Sequence, residues 1–251
     1  MKPFVIAEFA SCHMGSLDKA LEGIAVAHSA GASAYKVQFW SEPLRMRARR
    51  RVLAPAYEQG SIQAEWLPKL KKECHDRGLT FSASVFLPED VATLAPHVDY
   101  WKVSSFEARD RNLTKLIPRD GRTLFVSTGM QTAHDESYLP RQGIRLHCVS
   151  AYPCPPYEAN LGAIERGQGY SDHTRCVFTG AFAVAAGADY LEVHYRLADT
   201  PVECADYPVS LDPDGLMKYI GLAREAAKMR GDGRKQPQLS EQGSLAHRVV
   251  A

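Results

Sequence analysis

Short apolar runs alternate along the chain with polar loops and with longer segments whose apolar residues recur at helical spacing. The runs predict strands at residues 4–8, 34–39, 79–84, 100–104, 123–127, 144–149, 168–171 and 189–194. Helical periodicity falls between them, for example at 17–30, 64–77, 88–94, 176–186 and 212–229. Strands that alternate with helices predict a parallel sheet, and eight such units in about 230 residues match the length of a (β/α)8 TIM barrel. A doubly wound open sheet is the alternative α/β fold. No G-x-G-x-x-G follows the first strand, which counts against it. The pattern therefore predicts a catalytic barrel over 1–230. Residues 231–251, with G-D-G-R-K-Q-P-Q-L-S-E-Q-G-S, lack apolar periodicity and read as an extended linker.

Composition narrows the picture mainly by exclusion. The chain has 251 residues and is 45% hydrophobic, enough for a substantial core. Thirty basic against 29 acidic residues give a net charge of +1, so no global field favours nucleic acid or a membrane surface. Apolar runs are broken by charge or glycine well short of the roughly 20 residues that span a bilayer. The N-terminus enters a strand at once, without a cleavable signal. Six scattered cysteines form no C-x-x-C pair, which predicts reduced thiols and a cytoplasmic protein.

Candidate chemistry gathers at the predicted strand ends. His173 in G-Y-S-D-H-T and His194 in L-E-V-H-Y follow two successive strands, which in a parallel barrel places both imidazoles on one rim. Neutral imidazoles from neighbouring strands suit a divalent metal with open positions, although a lone histidine is more often an ordinary hydrogen-bonded one. Lys36 in A-Y-K-V-Q-F shares a strand face with Gln38, and Lys102 sits inside Y-W-K-V-S-S. A lysine in a buried strand needs an anion or loses its proton, so the pair points either to an anionic ligand or to buried partners such as Glu8 or Glu107. Glu8 and Glu107 are also candidates for binding hydroxyls or moving protons. Ser84, Ser104, Ser105, Ser127, Thr128, Gly129, Ser150 and Ser171 recur after five strands, as a rim holding a phosphorylated anion would require. The basic run R-M-R-A-R-R-R at residues 45–51 reads either as a solvated face or as a contact for an anionic substrate group.

Several of these strings, in order, resemble the N-acetylneuraminate synthase family, whose members condense phosphoenolpyruvate with an amino sugar to make sialic, legionaminic and pseudaminic acids. The matching stretches are I-A-E-F-A-S-C-H-M-G, G-A-S-A-Y-K-V-Q-F, Y-W-K-V-S-S-F-E, V-S-T-G-M, H-C-V-S-A-Y-P-C-P-P, G-Y-S-D-H-T, L-E-V-H-Y and V-S-L-D-P, and they run through nearly the whole chain. The S-S-F-E wording is closer to the pseudaminic-type branch. Carried over by position, the resemblance implies phosphoenolpyruvate binding by Lys36, Ser84, Lys102, Ser105, Ser127, Ser150 and Ser171. It implies a divalent metal, manganese or magnesium, on His173 and His194, and a sugar facing Glu8, Gln38, Glu107, Tyr152 and Asp206. Glu8, Lys36, Lys102 and His194 would then be catalytic, giving a nonulosonate-like 2-keto-3-deoxy acid and phosphate. A homodimer is the expected assembly. The competing readings are an aldolase or lyase acting on a related keto acid, and a non-catalytic sugar-binding barrel.

Three departures stand against the family pattern. Its Asn-His-Asn-Gly loop is here Cys12-His13-Met14-Gly15, and its G-P-D is here Cys204-Ala205-Asp206. Typical members continue past a linker like S-E-Q-G-S-L-A-H-R-V-V-A into an antifreeze-like domain that covers the sugar site of a partner. Its absence from this sequence predicts either a different acceptor or a lid supplied by a separate polypeptide.

Overall fold

Strand alternation decides which side chains fill the centre of this protein. The computed structural model describes residues 2–43, Met46 and 60–249. Eight parallel strands follow one another in chain order and close on themselves: β1 (Phe4–Glu8), β2 (Ala34–Phe39), β3 (Thr80–Val85), β4 (Trp101–Val103), β5 (Leu124–Ser127), β6 (Ile144–His147), β7 (Gly169–Asp172) and β8 (Tyr190–His194). Closure runs through β1 and β8, where Glu8 is in register with His194. The expected (β/α)8 barrel is therefore the fold. The strand positions agree with those read from periodicity to within one or two residues at most ends.

Outward positions of the strands pack under the helices. Tyr35, Val37, Phe81, Ala83, Val85, Trp101 and Val103 belong to one large buried cluster that also takes in Ile24 of α1 (Leu17–Ala30), Leu70 of α2 (Leu67–Asp76) and Tyr219 of α6 (Pro213–Arg230). Local sequence sets the ends of these helices. Ser16 caps α1 by accepting from the Lys19 amide, Asp18 sits in its first turn, and Gly31 closes it at φ 86°. Asp212 caps α6 by accepting from the Gly215 amide at 2.7 Å, with Pro213 in the first turn. Inward positions at the N-terminal end of the barrel carry Ile6, Tyr100, Phe125 and Leu146, packed with Phe4, Ile144 and Tyr190. Ring centroids of Tyr100 and Phe125 lie 5.4 Å apart, and those of Phe125 and Tyr190 5.2 Å, so aromatic rings stopper this end.

The ring of helices is uneven. Between β3 and β4 stands only α3 (Asp90–Leu94), and between β4 and β5 only α4 (Arg111–Thr114). Among the described residues, the β5–β6 and β6–β7 connections hold 3-10 turns (Ala133–Tyr138, Pro156–Glu158, Leu161–Ala163) where the repeated-unit reading expected helices. The sequence accounts for this. Pro140 and Gly143 interrupt the first connection, while Pro153, Pro155, Pro156, Gly162 and Gly167 interrupt the second. On the far side, α5 (Thr179–Ala186) packs closely on α6.

After α6, residues 231–249 are largely exposed and contain one short helix, α7 (Gln242–Leu245). No helix among the described residues is long and apolar enough to cross a membrane. The basic run at 45–51 lies outside the described residues apart from Met46.

The α5–α6 contact tolerates no side chain at Gly180. A Cβ there would lie 2.6 Å from Cε1 and 2.7 Å from the hydroxyl of the fully buried Tyr219. Gly180→Ala is expected to lower stability by about 1–3 kcal/mol through overpacking, read as a lower urea midpoint at unchanged slope.

Candidate active site

Above the aromatic floor, the same inward positions turn from apolar to charged. On β1 the inward series is Phe4, Ile6, Glu8; at β4 it is Lys102, preceded by Tyr100 just before the strand; on β8 it is Tyr190, Glu192, His194. The result is a buried ionic layer, with Lys36 2% exposed and Lys102 3% exposed. Lys36 Nζ forms an ion pair with Glu8, donates to Ser84 Oγ at 2.6 Å and lies 3.5 Å from Glu192. Lys102 Nζ lies 3.4 Å from Glu192 Oε1 and donates to the Val103 carbonyl at 3.4 Å. Ser171 Oγ donates to the same Glu192 carboxylate at 2.7 Å. Glu192 thus joins the two lysines, and Glu8 neutralises one of them.

The four charges are not held equally. Burial raises the Glu192 carboxyl, but Lys102, Lys36 and the Ser171 hydroxyl outweigh it and hold its pKa well below the usual carboxylate range. Burial lowers the Lys36 ammonium, yet Glu192 and Glu8 more than offset this, so its pKa is raised. Among the described residues Lys102 has one close carboxylate, Glu192, and burial with repulsion from Lys36 leaves its pKa lowered. Glu8 is raised, chiefly by burial against the opposing pull of Lys36. The layer therefore holds Glu192 ionised and Lys36 charged, while Lys102 and Glu8 are the groups nearest to changing protonation.

One layer higher, the imidazoles of His173 and His194 meet edge to face with ring centroids 5.5 Å apart. Tyr152 packs over His173 at 4.2 Å and edge-on to His194 at 6.1 Å, and is itself 47% exposed at the mouth. His173 donates from Nδ1 to the Val149 carbonyl at 2.7 Å, which leaves Nε2 as the nitrogen with a free lone pair. Burial, with His194 beside it, pushes the His173 pKa down to about 3, so its ring is neutral. Nδ1 of His194 is buried without a hydrogen bond among the described residues, 3.8 Å from Asp206 Oδ1. Asp206 is held in turn by Ser11, whose amide donates to Oδ2 at 3.0 Å and whose hydroxyl bonds the same oxygen.

The serine rim forms a third group. Ser105 Oγ lies 3.1 Å from Cys148 Sγ and accepts from the Gly129 amide at 3.2 Å. A Cβ on Gly129 would collide with Ser150 Oγ and approach Cys148 and Ser105 at 2.9 Å, so the G of S-T-G-M is there for close backbone approach. The buried hydroxyl oxygens of Ser127 and Ser150 have no hydrogen-bond partner among the described residues. Of the residues singled out in sequence, Lys36, Lys102, Ser84, Ser171 and Glu8 share the ionic layer, and His173, His194, Tyr152 and Asp206 share the mouth. Gln38 of β2 stands in register with Ser84 of β3. Glu107 bonds the Ser104 hydroxyl in the turn after β4, and the buried partner of Lys102 is Glu192 rather than Glu107. Glu192 was missed from sequence although it lies two residues before His194 on one strand, a spacing that puts both on the inner face. Ser11 and Cys148 were missed as well, because their partners come from distant loops.

Polar side chains collected at the C-terminal strand ends of a closed parallel barrel put the protein among the (β/α)8 enzymes. The NeuB family model matches residues 23–235. The chain belongs to the NeuB family, and it is an enzyme of the transferase-type synthases that the curated relatives represent. It is 30% identical to the pseudaminic acid synthase of Campylobacter jejuni strain 81-176, over 100% of this chain and 80% of that protein. It is 28% identical to the N-acetylneuraminate-9-phosphate synthase of Homo sapiens, over 93% of this chain and 72% of that protein. Among solved structures, the sialic acid synthetase of Leptospira borgpetersenii superposes with a TM-score of 0.90 at 28% identity, covering 99% of this chain and 92% of that one.

The loop after β1 carries a separate titrating group. His13 is fully buried, accepts from the Gly15 amide at Nδ1 (3.1 Å) and donates from Nε2 to the Gly60 carbonyl (3.3 Å), as a neutral ring must. Burial pushes its pKa from 6.5 down to about 4. The unfolded chain therefore binds the extra proton first. The stability contributed by neutral His13 is complete above pH 6.5 and is lost as pH falls toward 4, a span worth about 3 kcal/mol. His13→Gln keeps a donor for Gly60 and should flatten the fall in stability between pH 6.5 and 4, measured by urea unfolding at a series of pH values.

Proposed function

We propose that this enzyme condenses phosphoenolpyruvate with an aldose or amino-sugar aldehyde to give a nonulosonate-like 2-keto-3-deoxy acid and phosphate. The observation that carries the reading is the convergence in one barrel of two buried lysines with a pair of buried imidazoles in edge contact. Membership in the NeuB family and the named activities of its relatives support it. Lys36 and Lys102 hold the anionic groups of the donor, and an anion beside Lys102 restores the charge that burial works against. The orphaned hydroxyls of Ser127 and Ser150 supply further donors to its oxygens.

His173 and His194 fit a divalent cation, manganese or magnesium: one ring is fixed with a free Nε2, the other has an orphaned buried Nδ1, and His173 stays neutral. Among the described residues, no group of three or more His, Cys, Asp or Glu side chains is placed to hold a metal ion, so the protein's own ligands there would be these two imidazoles. When bound, the cation supplies Lewis-acid polarisation of an aldehyde oxygen. Glu8, raised by burial and in register with His194, is placed to hold the proton that the new alkoxide requires. Tyr152 and Asp206 line the acceptor's approach to His194. In the overall reaction C3 of the donor bonds to the aldehyde carbon, water adds at C2, and cleavage of the C2–O bond releases phosphate.

One observation favours a second reading. The lowered pKa of Lys102 is what a Schiff-base aldolase acting on a related keto acid would use. Borohydride treatment in the presence of pyruvate separates the two. The synthase reading expects no adduct on Lys102, and a trapped adduct there would replace it with the aldolase.

The direct test is phosphate release from phosphoenolpyruvate and manganese with a panel of amino sugars, phosphorylated sugars and other aldehydes. Release that depends on an aldehyde and stops on chelation is the expected result; no release with any acceptor would sink the proposal. Lys102→Ala should weaken phosphoenolpyruvate binding about 10- to 100-fold by calorimetry, the range expected for losing a hydrogen bond to a charged group. His194→Ala should abolish divalent-cation-dependent turnover and weaken calorimetric manganese binding while the circular dichroism stays that of the parent.

A further inference from the structure

Both loop departures noted in the sequence involve a cysteine, and the structure brings the two together. Cys12 follows β1 and Cys204 lies in the turns between β8 and α6, and their Sγ atoms are 3.6 Å apart. Each cysteine is 2% exposed, and neither is bonded to another cysteine. Around them runs a seam between the two loops. Ser11 Oγ is 3.6 Å from Cys204 Sγ, Ser210 Oγ is 3.7 Å from Cys12 Sγ, and Ser11 binds Asp206 through both amide and hydroxyl. Asp206 is in turn 3.8 Å from His194.

We propose that Cys12 and Cys204 form a peroxide-responsive thiol pair, whose disulfide ties the loop after β8 to the loop after β1 beside the acceptor end of the site. A disulfide needs its sulfurs at about 2.05 Å, so the pair must close by about 1.5 Å. The segment that would move, residues 198–210, is built of turns without regular helix or strand. The two thiols also differ in readiness. The Cys12 thiol beside it, with help from Ser11, brings Cys204 down to about 7 against the effect of burial, while Cys12 is raised by Cys204 and by burial. Cys204 is the attacking sulfur and Cys12 the resolving one.

The chemistry balances with hydrogen peroxide as oxidant. The Cys204 thiolate attacks one peroxide oxygen, the O–O bond breaks, a sulfenic acid forms, and the departing hydroxide takes a proton to become water. The Cys12 sulfur then attacks Cys204 sulfur, the S–O bond breaks, and hydroxide leaves with the Cys12 proton as a second water. Two thiols lose two electrons and the peroxide gains them. Burial selects the oxidant by size, so a small peroxide is favoured over a disulfide as large as oxidised glutathione.

The test uses the full chain treated with a few equivalents of hydrogen peroxide and digested with trypsin without reduction. The expected product is a crosslink between the peptides spanning 1–19 and 197–218, removed by dithiothreitol. Absence of that crosslink at a peroxide level that oxidises the more exposed Cys176 overturns the proposal. Cys12→Ser should leave Cys204 sulfenic acid unresolved and reactive with dimedone, and failure of the adduct to appear while Cys176 is labelled overturns the assigned order of attack. Oxidised glutathione should leave no adduct on Cys204, and an adduct there overturns the size selection. The effect on turnover rests on the synthase reading, whereas the crosslink does not. Oxidation should cut phosphate release about tenfold or more, since a shift of about 1 Å near reacting groups has effects of that size or larger, with recovery on reduction and no response in Cys204→Ser. A crosslink that leaves turnover unchanged overturns the regulatory role alone.

Discussion

Placing two lysine ammonium groups inside a closed barrel is the constraint from which the rest of the site follows. An unpaired ammonium there costs several kcal/mol, so the strands around Lys36 and Lys102 must bring carboxylates to them. Glu8 comes from β1 and Glu192 from β8, the two strands that close the barrel. Ser84 and Ser171 occupy further bonding directions of the cluster. The compensation is incomplete on one side: Glu192 is shared, and Lys102 is the less well served of the two lysines. That imbalance leaves the layer receptive to an additional negative charge.

Strand β8 joins this ionic layer to the imidazole pair, because Glu192 and His194 occupy successive inward positions. The environment changes sharply over that short rise. Below, charge is neutralised by charge; above, His173 is kept uncharged by burial and its tautomer is set by the Val149 carbonyl. On the proposed reading, a layer of lysines and a pair of imidazoles are the two environments that a donor carrying phosphate and an acceptor carrying a carbonyl would each require. They are separated by one step between inward positions, two residues along β8, which would permit the reacting ends of two molecules to meet.

Much of the fold was legible in the chain because burial on both sides of a parallel strand writes a short apolar run, and the turns between runs are marked by glycine and proline. The helical units between β5 and β7 were overextended by that reasoning. Repetition implied helices there, while Pro140, Pro153, Pro155 and Pro156 with their neighbouring glycines favoured 3-10 turns. At the site, Lys36, Lys102, His173 and His194 were visible as polar residues at strand ends. Periodicity alone could not choose between Glu8 and Glu107 as buried partners, because that depends on which strands become neighbours on closure. Ser11, Asp206 and the two loop cysteines meet across more than 190 residues of chain, and no local pattern records such an encounter.

The aromatic stopper beneath the ionic layer has a kinetic consequence. With Phe4, Tyr100, Phe125 and Tyr190 closing one end, the described residues leave the way to the ionic layer at the opposite end of the strands, where Tyr152 stands. On the proposed reading, a molecule seated on the lysines would be screened by whatever later occupied the histidine level. Such a vessel would impose a queue, with the deeper guest arriving first, the shallower one second, and departure running in the reverse order.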